Sequence, residues 1–141
     1  MPVEIAHVSA EAVMAFVRRT EREALKTFYD FSVIWHEQRH DFAALDAEET
    51  VGVVEIGIAA SLAHVRRVVV EPGRRLQGIG RALLQAAADT ANYHNCHKMT
   101  VLVPHNSRAQ TFFEHCGYRQ EAVLAQHTFK LDMAVLRRFL L

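Results

Sequence analysis

Apolar positions along this chain follow two rhythms, one alternating and one helical, and the order in which they appear predicts the fold. Val3, Ile5 and the alternation up to Val8 predict a short first strand. Ser9 suits a helix N-cap, and Val13, Phe16 and Val17 then recur on one helical face. Thr20-Glu21-Arg22-Glu23 matches a capping box and is expected to open a second helix, with Leu25, Phe28, Phe31, Ser32 and Trp35 along it. Asp41 to Ala47 and Thr50 to Ala60 read as strands joined by a turn, and Ala63 to Glu71 as another that Pro72 stops. Helical spacing returns from Gly78 to about Asn92, carried by Ile79, Leu83, Leu84, Ala87, Ala88 and Ala91. Met99 to Val103 is a buried strand, and Ser107 to Cys116 a shorter helix that Gly117 ends. Tyr118 to Leu124 and His127 to Met133 form a last strand pair. Ala134 to Leu141 is an amphipathic tail whose type the pattern leaves open, a candidate cover for the core or for a partner subunit in a homodimer. The economical solution is an α/β fold, one mixed sheet covered by helices.

Composition narrows the function classes. A chain of 141 residues suits a single domain, here residues 1–141, with half its residues apolar and about a quarter charged. Sixteen basic and sixteen acidic residues cancel, so no overall charge draws it to nucleic acid or membrane. The first residues lack the basic start and apolar core of a signal peptide. No apolar run approaches the roughly 20 residues of a membrane helix. Cys96 and Cys116 give no disulfide framework, so a cytoplasmic protein with reduced thiols is expected.

The most informative stretch runs from Val68 to Arg81. A β-branched run stops at Pro72, passes Gly73, Arg74 and Arg75, and enters a helix at Gly78-Ile79-Gly80. A helix start presents unpaired N–H groups and a positive dipole end, and glycine permits close approach, so this place suits phosphate. Arg74, Arg75 and Arg81 supply counter-charge. A Walker loop is excluded because no Gly-Lys-Ser/Thr is present. The dinucleotide fingerprint needs a small residue where Leu83 stands, and it follows an N-terminal strand rather than one in mid-chain.

What remains, Arg75-x-x-Gly78-x-Gly80 after Val70-x-Pro72, resembles the acetyl-CoA pyrophosphate loop of the GCN5-related N-acetyltransferases, the GNAT family. A second block supports the resemblance. Asn106-Ser107-Arg108-Ala109, Phe112-Phe113-Glu114 and Cys116-Gly117-Tyr118 are similar to that family's Asn-x-x-Ala…Phe-Tyr-x-x-x-Gly-Phe segment, one helix and one strand later.

The resemblance implies a mostly antiparallel sheet with splayed central strands between which pantetheine lies like an added strand. Val68, Val69 and Val70 would border it, with main-chain hydrogen bonds from Val68 and Val70, and the Val68 N–H would polarise the thioester carbonyl. The backbone of Arg75, Leu76, Gln77, Gly78, Ile79, Gly80 and Arg81 would hold the pyrophosphate. Asn106, Ala109 and Phe113 would line the other wall. Acetyl-CoA would be a co-substrate, without a metal. The family's branch that places its base fourteen residues ahead of the first glycine points to His64, whose imidazole is a competent base near neutrality. Strict alternation would put His64 on one face with Arg66, Val68 and Val70. Glu55 on the neighbouring strand is the second candidate. Phe113 stands where the family often has a tyrosine that protonates the leaving thiolate; His115, Tyr118 or water would have to substitute.

Three other patterns have competing readings. His36-Glu37-Gln38-Arg39-His40 matches a zinc-protease signature, but the strand expected from Asp41 would split the histidines; His36 instead suits the border of an acceptor site. His94, Cys96, His97, His105, His115 and Cys116 fit no standard zinc spacing. Arg66, Arg67, Arg74, Arg75 and Arg81 make a basic patch that CoA phosphates explain better than nucleic acid. The reading is an N-acetyltransferase that moves acetyl from acetyl-CoA to a primary amine in a ternary complex. The alternative, motivated by Phe113, is an acyl-CoA-binding module that does no chemistry.

Overall fold

In the computed structural model, which describes residues 2–29 and 37–140, the chain divides into two units, Met1–Trp35 and His36–Leu141. The first contains one helix, α1 (Ala10–Tyr29). Ser9 caps it as expected, its hydroxyl accepting the Ala12 N–H at 3.2 Å. Two expectations fail here. Residues 2–9 join no ladder, and without a pairing partner their alternation does not make a strand. The capping box at Thr20 opens no second helix, because the Thr20 hydroxyl donates to the Phe16 carbonyl one turn back at 2.7 Å inside a continuous helix. Phe31, Ser32, Trp35 and His36 lie outside the described residues.

The second unit runs β1 (Gln38–Asp46), β2 (Glu49–Ala59), β3 (Leu62–Val70), a 3-10 turn (Pro72–Arg74), α2 (Ile79–Tyr93), β4 (Lys98–Pro104), α3 (Arg108–His115), β5 (Arg119–Thr128) and β6 (Leu131–Phe139). The sheet order is β1-β2-β3-β4-β6-β5. Only β3 and β4 are parallel, which requires the α2 crossover between them. Apolar residues of β2, β3, β4 and β6 form the core with α2 and Phe113 of α3, so both helices lie against the same face. Gly52 of β2 permits that approach: a Cβ there would lie 3.1 Å from Ile79 Cγ2 and Leu83 Cδ1. No helix among the described residues is long and apolar enough to cross a membrane.

The tail is the largest correction to the sequence reading. Residues 134–139 are not an appendage but most of β6, which sits inside the sheet between β4 and β5, with Ala134 and Leu136 fully buried. The final turn falls at Phe129-Lys130, with φ of 52° and 61°, rather than near Ala125. That left-handed pair makes a tight hairpin without the glycine or asparagine that usually signals one.

A second correction concerns which residues share a face. Glu55 pairs with Arg67 but Ile56 pairs with Val65, so Arg66 is an extra residue, a β-bulge. Before it, His64 lies opposite Gly57; after it, Val68 lies opposite Val54 and Val69 opposite Val53. The bulge therefore reverses the alternation. Val68 and Val70 turn their side chains to the core and helices, while His64, Arg67 and Val69 share the opposite face with Val53 and Glu55.

Candidate functional site

The parallel ladder between β3 and β4 stops early. Its pairs run from Leu62–Lys98 to Val65–Val101, after which β4 pairs only with β6. Beyond Val65, the β4-facing edge of β3 is open. Alternation fixes which groups point there. The Glu71 N–H donates to the Val51 carbonyl at 2.9 Å, so the main-chain groups of Arg67 and Val69 face β2 and those of Val68 and Val70 face the gap. A wedge with unpaired amides and carbonyls can take an extended ligand as a strand would be taken.

The loop at the mouth of this wedge begins where Pro72 ends β3. Leu76 (φ 65°) and Gly78 (φ 80°) adopt left-handed conformations, Gly78 at the N-cap of α2 without a side-chain cap. The first-turn N–H groups of α2 thus have no capping side chain. The two glycines have different reasons. A Cβ on Gly78 would meet nothing within 4 Å, so only its dihedral demands glycine. A Cβ on Gly80 would lie 2.9 Å from Phe112 Cζ, so its smallness lets α3 reach α2.

The loop arginines are not equivalent. Arg74 pairs with Asp46 at 2.6 Å, which raises its pKa, and Arg81 donates to the His115 carbonyl at 2.8 Å, tying α2 to the end of α3. Arg75 is exposed and has no ionic partner among the described residues. A cleft of about 560 Å³ beside Gly78 is lined by Arg81, Gln85, His115, Cys116 and Arg138, a setting with cationic groups on two sides. Burial, opposed by Arg81 and Arg138, pushes the Cys116 thiol up.

On the far wall, Ser107 caps α3 by accepting the Gln110 N–H at 3.2 Å. Asn106 is exposed with a left-handed φ of 59°, and its N–H donates to Gln110 Oε1 at 2.7 Å. Ala109 is half-buried against the core. Phe113, expected on the cofactor wall, is only 5% exposed and packs edge-on against Tyr118 at 5.1 Å. Tyr118 is no substitute acid at the surface. Its hydroxyl donates to Met99 Sδ at 3.7 Å, and burial, partly offset by Arg138, drives its pKa strongly upward. His115 lines the helix-side cleft instead.

The opposite face of the sheet carries the titratable groups. His64 stands on β3 beside Thr100 of β4, its Nδ1 3.0 Å from Thr100 Oγ1. Burial of the ring, reinforced by the Arg66 charge and opposed by Glu37, holds its pKa below the ordinary imidazole value. Arg66 donates to Glu37 Oε1 at 2.6 Å, which lowers the Glu37 pKa. Glu55 has both oxygens engaged, one by Arg39 at 2.7 Å and the other by Arg67. Beside it Asp41, Ala43, Val53, Arg67 and Val69 border an open cleft of about 490 Å³. The structure thus brings together the loop, Val68 and Val70 at the wedge, and puts His64 and Glu55 on the other side of the sheet.

Glu37 and Thr100 are not among the residues the sequence singles out for the site, and Arg66, expected in a basic patch that CoA phosphates explain, is paired with Glu37 instead. Two adjacent arginines within an alternating strand are the signal that could have revealed the bulge. Gly57 is a further one: a Cβ there would collide with the Glu37 carboxylate. Gln38, Arg39 and His40 of the zinc-protease pattern lie in β1, and His40 packs toward His94, ring centroids 4.9 Å apart. His97 bonds the Ser61 carbonyl through Nδ1 at 2.9 Å. Among the described residues no three His, Cys, Asp or Glu side chains are grouped to hold a metal ion.

Comparison with known proteins agrees with the fold. A sequence profile described as an acetyltransferase (GNAT) domain matches residues 4–128. The mycothiol acetyltransferase of Beutenbergia cavernae is 29% identical over 103 residues, 72% of this chain but 33% of that protein. The chain therefore spans about a third of that relative's length. An acetyltransferase structure from Bacillus cereus superimposes with a TM-score of 0.74 at 16% identity, covering 98% of both chains. An aminoglycoside 6′-N-acetyltransferase complexed with coenzyme A gives 0.66 at 16% identity over 72% of each chain. The chain belongs to the GNAT acetyltransferase family.

Proposed function

We propose that this GNAT family member transfers acetyl from acetyl-CoA to a primary amine by direct attack in a ternary complex. The observation that carries the reading is the wedge: β3 leaves the main-chain groups of Val68 and Val70 unpaired toward β4, next to an uncapped α2 N-terminus at Gly78. The residues fit the co-substrate. The backbone from Arg75 to Arg81 would hold the pyrophosphate, with Arg75 the cation best able to reach it. Val68 and Val70 would bond pantetheine, with Val69 between them, and Asn106 and Ala109 would border it. Acetyl-CoA supplies an activated acetyl thioester. The family match spans both units of the chain, which supports reading residues 1–141 as one functional domain. A cytoplasmic setting belongs to the same reading, with Cys96 and Cys116 as free thiols.

The sheet separates two tasks. The phosphate-binding loop belongs to the helix side, whereas His64 lies on the other face, and the wedge joins the two. An amine approaching from the His64 face would lose its proton to the imidazole, because an ammonium has no lone pair for attack. The C–N bond forms, the Val68 N–H steadies the oxyanion, and the C–S bond breaks; the proton that the new amide nitrogen sheds passes through water to the departing thiolate, which leaves as the thiol. His64 is the better base because Glu55 spends both oxygens on guanidinium groups.

Release of CoA thiol from acetyl-CoA, measured across a panel of amines and peptides with wild type and His64→Gln, tests the reading. Amine-dependent release that falls about 100-fold in the variant is expected. Tight acetyl-CoA binding without release on any amine would favour the non-catalytic binding module.

A further inference from the structure

We propose that Thr100 is a positioning residue that fixes the tautomer of His64, holding the proton on Nδ1 and leaving Nε2 free to accept the amine proton. The inference rests on His64 being the base.

Thr100 occupies β4 directly opposite His64, in the penultimate pair before the parallel ladder ends. Its hydroxyl lies 3.0 Å from His64 Nδ1. Among the described residues it is the only hydrogen-bond partner of that ring. Glu37, the acid nearest in charge effect, is committed to Arg66 at 2.6 Å. Arg137, which pairs with Thr100 from β6, has its guanidinium over the Phe139 ring at 4.4 Å. Among the described residues, the ring therefore takes its hydrogen-bonded orientation from threonine alone. A β-branched side chain on a strand is stiff about χ1, so the hydroxyl has a fixed place.

A hydroxyl can accept from Nδ1–H or donate to bare Nδ1, and chemistry separates the two. With Nδ1–H donating to Thr100 Oγ1, Nε2 carries the lone pair. When Nε2 gains the amine proton, the same hydroxyl still accepts from Nδ1–H, so the imidazolium forms without rearrangement. With the opposite tautomer Nε2 already holds a proton and cannot serve as base. The wedge makes the placement useful, because β3 parts from β4 just after the Val65–Val101 pair, and among the described residues the Thr100 hydroxyl is what ties the His64 ring to β4.

The test is nitrogen NMR of the His64 ring in the full chain, joined to steady-state kinetics of Thr100→Val and Thr100→Ser. The wild-type ring should carry its proton on Nδ1, and Thr100→Val should move it to Nε2. Thr100→Val should lower kcat about 10- to 100-fold with the KM for acetyl-CoA unchanged. Thr100→Ser, which keeps the hydroxyl, should restore the wild-type tautomer and most of the rate. A wild-type ring protonated on Nε2, or a Thr100→Val enzyme with wild-type kcat, overturns the proposal. If His64→Gln loses activity while Thr100→Val does not, the positioning role alone fails; if His64→Gln is fully active, the base assignment beneath it fails.

Discussion

Glu55 faces Arg67 across the β2–β3 ladder, and the bulge at Arg66 is what brings them together. Without the extra residue, Arg67 would turn toward the core and Val68 toward the His64 face. The clamp on Glu55 suits a structural role for a carboxylate that is partly shielded from water. Glu55→Gln should therefore cost about 1 kcal/mol in urea unfolding and leave the acid limb of the rate profile in place. Loss of that limb would make Glu55 the base.

Gly80 is a packing glycine. Gly80→Ala should destabilise by about 1–3 kcal/mol through contact with Phe112, as overpacked sites do. Adding Phe112→Leu should recover part of that loss, a coupling that denaturant melts of the single and double variants would detect. Independent, additive effects would contradict the contact.

Stability should report the His64 environment. Its pKa is lowered on folding by burial and Arg66, so between the folded value and the ordinary imidazole value near 6.5 the unfolded chain binds more protons. This contribution is present above about pH 6.5 and is lost as pH falls toward the folded pKa. Wild type should lose stability over that window relative to His64→Gln, and thermal melts across pH should show the two curves converge with a change of slope. Parallel curves would place His64 in an ordinary solvent setting.

Much of this architecture is legible in the sequence, and the exceptions have physical causes. Val65, Met99 and Leu84 sit in runs whose period matches their element, so β3, β4 and α2 were readable. The loop is readable because Pro72 stops the strand and Gly78 takes a left-handed φ of 80°. The hairpin at Phe129-Lys130 uses left-handed residues with no small-residue signature, so the sequence pattern ends the last strand early and makes its core part look like a tail. Val3 to Val8 alternate, but a strand exists only where a partner completes its ladder. The site divided the same way. The loop half, proposed to hold phosphate, is local and written in consecutive residues, whereas the Thr100–His64 contact joins residues 36 apart and depends on a parallel register. The bulge is hidden because Val68, Val69 and Val70 look alike from either face.

The central claim is that the β3–β4 wedge and the α2 N-terminus hold acetyl-CoA. Isothermal titration of acetyl-CoA into wild type and Gly78→Ala tests it directly. Wild type should show saturable one-to-one binding, with about 2.7 kcal/mol of added stability at a hundredfold excess over Kd. Gly78→Ala, which strains a residue at φ 80° without filling any contact, should bind at least tenfold more weakly while remaining folded. No binding to wild type, or equal binding by a folded Gly78→Ala chain, would contradict it.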